Sequence, residues 1–215
     1  MDCIPLKICY EDAYLLIINK PPGLLVHPTV KEWDNTLYAM VAAYYKDNSY
    51  SCKSHPVSRL DRNTSGLVIF AKEPSVQAYL AKQPAIKRYL AIVHGQPACQ
   101  SGSIYAPIAR KEGSIIERCV STHGKQAQTD IKVRYTNHGY SLLELELKTG
   151  RTHQIRVHLA YMGLPLVDDN LYGTPGPQGR HALHAYYLQF THPVTGTCVE
   201  ISAALPEDLR KIIYY

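Results

Sequence analysis

Two runs of alternating apolar and polar residues, 127–135 and 141–148, flank a His138-Gly139 turn. Period-two alternation on both sides of a two-residue turn predicts a β-hairpin and so fixes antiparallel pairing in this part of the chain. Further strands are predicted over 6–10, 14–19, 67–71, 87–94, 182–190 and 197–202, the last two around a 193–196 turn. Helices are predicted over 36–45, 74–83, about 152–162 and 205–213. Thr36 is placed to cap the first, Pro74 starts the second, and Gly163 stops the third. Most strands are joined by turns rather than by helical crossovers. The expected fold is therefore α+β: a mixed, mainly antiparallel central sheet with flanking helices and loops. The stretch 96–126, rich in Gly, Ser, Pro and Lys, reads as a long functional loop with short strands at most. No linker marks a boundary, so residues 1–215 are expected to form a single domain.

Composition narrows the class. The chain has 215 residues, 46% hydrophobic and 19% charged, which is globular and argues against general disorder. A net charge of +5 permits a nucleic-acid partner without establishing one. Six scattered cysteines contain no C-x-x-C pair and read as reduced thiols of a cytoplasmic protein. The N-terminal segment has no cleavage pattern, and no apolar run approaches the roughly 18 residues of a membrane span.

Four segments carry candidate chemistry. In Ser58-Arg59-Leu60-Asp61-Arg62, a lone carboxylate stands between two guanidiniums, just before a polar turn and an apolar run. Asp61 reads either as a turn aspartate offset by its arginines or as an oriented nucleophile or base working on an anionic substrate. A strand-turn-helix segment, 147–163, brings Arg151, Thr152 and His153 to a helix start, a ready anion site, with Arg156 on the face of His153. Ile155, Leu159 and Met162 form the opposite, core-facing stripe, leaving the polar side to a cleft. Along the 87–94 strand, Lys87, Tyr89 and Ala91 alternate on one face, and Tyr89 suits stacking on a base or proton exchange. His181 and His184, three apart in a strand, point to opposite faces, so neither is read as a metal ligand.

Together and in this order, these segments resemble the RluA family of RNA pseudouridine synthases. The family motif His-Arg-Leu-Asp-x-x-Thr-Ser-Gly-Leu is matched from Ser58 to Leu67. Asn19-Lys20-Pro21-Pro22-Gly23, Lys87-x-Tyr89-x-Ala91, Gly150-Arg151-Thr152-His153-Gln154-Ile155-Arg156-Val157-His158, Asp169-x-Leu171-Tyr172-Gly173 and Leu183-His184-Ala185 match as well. The likeness extends from near Tyr14 to near Leu209.

The resemblance implies a catalytic Asp61, a Tyr89 packed on the target base, an Arg156 paired to the catalytic carboxylate and an Arg59 that helps flip the uridine. Arg62, Arg151, His153 and Lys87 complete the expected RNA-binding set, and the active-site cleft is expected across the sheet. The reaction is an isomerisation, so neither metal nor organic cofactor is expected. The partner is a stem-loop of rRNA or tRNA. The match begins early in the chain, so the added N-terminal RNA-binding domain of many relatives is not expected, and the chain is expected to be a monomer. Two positions depart from the pattern. Ser58 replaces the family histidine, and Asp168 replaces a glycine in a turn where aspartate tolerates left-handed backbone. Ser58 leaves a second reading, an inactive RNA-binding protein of the same fold. A glycoside hydrolase would need a second acid, for which only Asp168 and Asp169 are at hand.

Overall fold

The computed structural model describes residues 5–215. Along the chain run β1 (Ile8–Glu11), β2 (Leu15–Lys20), α1 (Leu37–Asp47), β3 (His55–Pro56), β4 (Ser65–Ala71), α2 (Pro74–Leu80) and β5 (Ala85–His94). Then follow β6 (Ser101–Tyr105), β7 (Ile108–Arg110), β8 (Arg118–Val120), β9 (Gln128–Asn137), β10 (Tyr140–Leu147) and α3 (Gln154–Tyr161). The last elements are β11 (Leu183–Thr191), β12 (Cys198–Ser202) and α4 (Glu207–Tyr214). The fold is α+β with mainly antiparallel pairing, as the sequence led us to expect. Two compact units form: the first runs to Ile86 and takes in Ala185–Ala203, and the second holds Lys87–His184 and Ala204–Tyr215.

In the first unit the strands lie in the order β1-β2-β4-β11, with β3 beside β4 and β12 beside β11. Strands β2 and β4 are apolar at nearly every position, because both of their faces are covered. Leu15, Ile17, Leu67, Ile69 and Ala71 point to one side, where Val76 and Leu80 of α2 meet Leu188, Phe190 and Val199. Leu16, Ile18, Val68 and Phe70 point to the other, against Leu37, Val41 and Tyr45 of α1. Each such side chain contributes about 1.5–3 kcal/mol on burial, so β4 is a rigid anchor for the loop that precedes it. Thr36 caps α1 as expected, accepting from the Ala39 N–H at 3.2 Å. Gly66 has φ +121, and a Cβ there would lie 2.2 Å from the Ala185 carbonyl oxygen, so no other residue fits without moving β11.

The second unit orders its strands β5-β10-β9-β6. The β9–β10 hairpin turns through His138 (φ 47) and Gly139 (φ 82), and two successive left-handed residues are what this type of tight turn requires. Ile92, Leu142, Val167 and Ala182 pack with Leu209 and Ile213 of α4. The 96–126 stretch is more ordered than a loop: β6 extends the sheet beside β9, and β7 and β8 form a separate two-stranded hairpin. Helix α4 starts two residues later than expected, because Pro206 stands as its cap. The five described cysteines are free thiols, and Cys3 lies outside the described residues.

Candidate active site

The Asp61 loop belongs to the first unit, and three loops are knotted together there. Lys20, at the end of β2, is fully buried. Its ammonium donates to the carbonyls of Pro21 (2.9 Å), Leu24 (2.8 Å) and Arg62 (2.9 Å). Those bonds fasten the Lys20-Pro21-Pro22-Gly23 turn to the loop carrying Asp61. Arg62 forks onto Glu32, Nη1 to Oε1 at 3.1 Å and Nη2 to Oε2 at 2.5 Å, which ties in the 27–36 loop. The Thr64 N–H closes a turn on the Asp61 carbonyl at 3.1 Å. Asp61 itself is half-buried, Arg59 is exposed, and the Ser58 hydroxyl faces the Ile69 N–H of β4 at a long 3.5 Å. Partial desolvation, and then the Arg59 charge, hold the pKa of His27 below its ordinary value.

Arg156 and Tyr89 belong to the second unit. Arg156 is buried on α3 and donates Nε to Asp169 Oδ2 at 2.8 Å and Nη2 to Oδ1 at 2.7 Å. Asp169 is closed off from water, and Oδ1 also accepts from the N–H groups of Leu171 (3.0 Å) and Tyr172 (3.2 Å). Burial pushes the Asp169 carboxyl up, but the Arg156 guanidinium and these donors hold it below the usual carboxylate range. The Arg156 guanidinium also lies 5.0 Å over the Tyr172 ring. His153 Nδ1 meets the Tyr172 hydroxyl at 2.8 Å, and that hydroxyl accepts from the Arg118 N–H at 2.8 Å. His153 has φ 58, a strained left-handed conformation outside the helix, so α3 begins one residue after it. Tyr172 thus joins His153, Arg156 and the β7–β8 hairpin. The sequence reading quoted it in a motif but gave it no role.

The polar side of α3 is buried, against expectation. The physical reason is a chain of hydrogen bonds to remote segments. Gln154 Nε2 donates to Thr129 Oγ1 at 3.0 Å, and Thr129 Oγ1 lies 2.9 Å from His158 Nδ1. His158 Nε2 lies 2.9 Å from the Ala106 carbonyl, which only accepts. A neutral His158 protonated at Nε2, with the Thr129 hydroxyl donating to Nδ1, satisfies every member, and burial lowers its pKa to match. Met162 is exposed instead of core, because it caps the helix one residue beyond its last turn. Arg151 is exposed, with Nε on the Gln126 carbonyl at 2.9 Å. On β5, Tyr89 is buried and Lys87 half-buried, and burial pushes the Lys87 amine down. Asp168 adopts φ 57, the left-handed backbone expected of it, and its carboxylate accepts from the Gln178 N–H at 2.7 Å. Asp168 and Asp169 are therefore committed to loop structure and to Arg156, which weighs against a hydrolase acid. Among the described residues, no cluster of His, Cys, Asp or Glu is arranged to hold a metal.

The family described as RNA pseudouridylate synthase matches residues 14–161. The chain belongs to this family. A Bacillus subtilis relative named as an uncharacterized RNA pseudouridine synthase, YjbO, is 40% identical over 98% of this chain and 76% of its own length. A ribosomal large subunit pseudouridine synthase D of Xanthomonas campestris is 37% identical over 98% of this chain and 69% of its own. Among solved structures, human RNA pseudouridylate synthase domain containing 1 aligns with a TM-score of 0.75 and 27% identity. That alignment covers 95% of this chain and 86% of the human one. The synthase is thus an RNA-modifying isomerase, and its relatives support this reading and not that of an inactive RNA-binding module.

Proposed function

We propose that this synthase converts a uridine of large-subunit ribosomal RNA to pseudouridine, with Asp61 as the catalytic carboxylate. The support for the RNA is the run of relatives named ribosomal large subunit pseudouridine synthase D, 36–38% identical over 96–99% of this chain. The support for Asp61 is its place in the matched motif, on a loop that Lys20 fastens to the end of β2.

The reaction breaks the bond from ribose to ring nitrogen, turns the uracil, and rejoins it through ring carbon 5, whose hydrogen leaves to water while the freed ring nitrogen takes up a proton. Asp61 supplies the ionised carboxylate. Tyr89 supplies an aromatic face for the target base, and Arg156, oriented by its fork onto Asp169, is the cation assigned to the catalytic carboxylate. Arg59, exposed on the Asp61 loop, fills the space of the flipped nucleotide, offsetting an unstacking cost of about a few kcal/mol. Arg62, Arg151, His153 and Lys87 serve phosphate and sugar contacts, so binding weakens as salt rises. Of these, Arg62 reaches RNA only by sharing or leaving Glu32. Residues 1–215 act as a single catalytic domain, and the enzyme works as a cytoplasmic monomer.

The RNA is tested by tritium release from RNA labelled at uridine carbon 5, taken from a strain lacking the gene and separated into ribosomal and transfer fractions. Release from the large-subunit ribosomal fraction is expected. Release from transfer RNA alone would overturn the choice of substrate while leaving the chemistry intact.

A further inference from the structure

The 27–36 loop projects from a fixed base. The Leu37 and Tyr38 N–H groups bond to the carbonyls of Leu25 (2.8 Å) and Val26 (3.0 Å). At the tip, Thr29 and Glu32 pair through both of their backbone groups, at 2.9 and 3.2 Å. Thr36 Oγ1 donates to the Trp33 carbonyl at 3.0 Å. These bonds brace the backbone, yet the loop offers apolar side chains to water. Val30 is fully exposed, and Trp33, the chain's only tryptophan, is 63% exposed. The indole meets the Tyr38 ring edge-on, at 6.3 Å between centroids and 67° between planes.

Position gives this exposure a meaning. Glu32, the residue before Trp33, is the one that Arg62 grips, and Arg62 is the residue after Asp61. The indole and the carboxylate are therefore each one residue from the same forked ion pair. This loop and the Asp61 loop tied to it are mixed in charge: Lys31 and Arg59 are exposed, Asp34 is an exposed carboxylate, and Glu32 is paired with Arg62. Exposed aromatic rings working together with cationic side chains are how proteins hold single-stranded nucleic acid, since every base offers a face to stack on. A flipped uridine leaves its neighbours partly unstacked, and these need a new surface.

We propose that Trp33 stacks on an unpaired base of the RNA substrate, next to the uridine presented to Asp61. This rests on the synthase reading and adds a binding residue to it. Because no other tryptophan is present, its emission reports on this site alone.

The test has two arms, both using carbon-5-tritiated total RNA from a strain lacking the gene. In the kinetic arm, Trp33→Ala raises the apparent KM for tritium release by roughly 5- to 150-fold at unchanged kcat, the range that one base stacked on a ring is worth. Trp33→Phe, which keeps an aromatic face, recovers most of the loss. In the optical arm, the same RNA quenches the emission of the Asp61→Asn enzyme. An unchanged KM in Trp33→Ala, or a Phe variant as impaired as the Ala one, would overturn the proposal. So would emission that answers to protein concentration and not to RNA, the sign of a protein partner on this face. Absence of release by the wild type would instead bring down the synthase reading, so the two failures are distinguishable.

Discussion

Replacing Lys20 by methionine keeps an unbranched side chain one atom shorter and removes its charge and its donors. Three carbonyls then lose a partner: Pro21, Leu24 and Arg62, held at 2.8–2.9 Å in the native protein. A buried polar group without a partner costs about 1–3 kcal/mol. Two terms reduce the total. Arg62 is exposed and Pro21 half-buried, so water can reach toward their carbonyls, whereas Leu24 is buried. Methionine also avoids the desolvation that a buried ammonium suffers. The net loss is therefore set near ~2–4 kcal/mol. In urea this lowers the unfolding midpoint by about 1–2 M at constant slope. Because one of the lost bonds holds the Asp61 loop, turnover falls as well, and more than KM changes. A midpoint moved by less than about 0.3 M, with turnover intact, would refute the idea that Lys20 is the knot between these loops.

Two further outcomes follow from buried groups. Asp169→Asn removes the charge of the carboxylate that forks onto the buried Arg156 guanidinium and costs about 3–5 kcal/mol, read as a lower melting temperature. The carboxyl's folded-state pKa is depressed, so its contribution is complete above the unfolded value of about 3.9 and is lost as pH falls through the folded one. The melting-temperature gap between wild type and Asp169→Asn is accordingly constant near neutrality and narrows below about pH 4. Gly66→Ala must fit a Cβ against the Ala185 backbone at φ +121, and a melting temperature lower by about 6–12 °C is expected. A melting curve like that of the wild type would mean that β4 and β11 yield more easily than their packing implies.

Legibility in the sequence followed the range of each interaction. The His138-Gly139 hairpin, the Thr36 cap and the left-handed Asp168 are local events, and each was foreseen because neighbouring residues decide it. The strands expected over 14–19 and 67–71 form as β2 and β4, while the cover on both of their faces comes from segments distant in sequence. Long-range pairings were another matter. The polar side of α3 was expected to line a cleft, because nothing near it in sequence announces Thr129 or Ala106 as partners. Lys20 read as part of a motif, and its burial depends on carbonyls as far away as Arg62. Asp169 entered as part of a motif and as a candidate acid, but not as the partner of Arg156, thirteen positions earlier. Trp33 belongs to no periodic pattern, and only its exposure beside the Arg62–Glu32 pair singles it out.

The central claim is that Asp61 carries pseudouridine formation. Its most direct test is tritium release from carbon-5-labelled RNA of a strain lacking the gene, with wild type and Asp61→Asn side by side and RNA binding measured for both. The account predicts release by the wild type alone, with binding retained by the variant. Release by both proteins, or by neither while both still bind RNA, would contradict it.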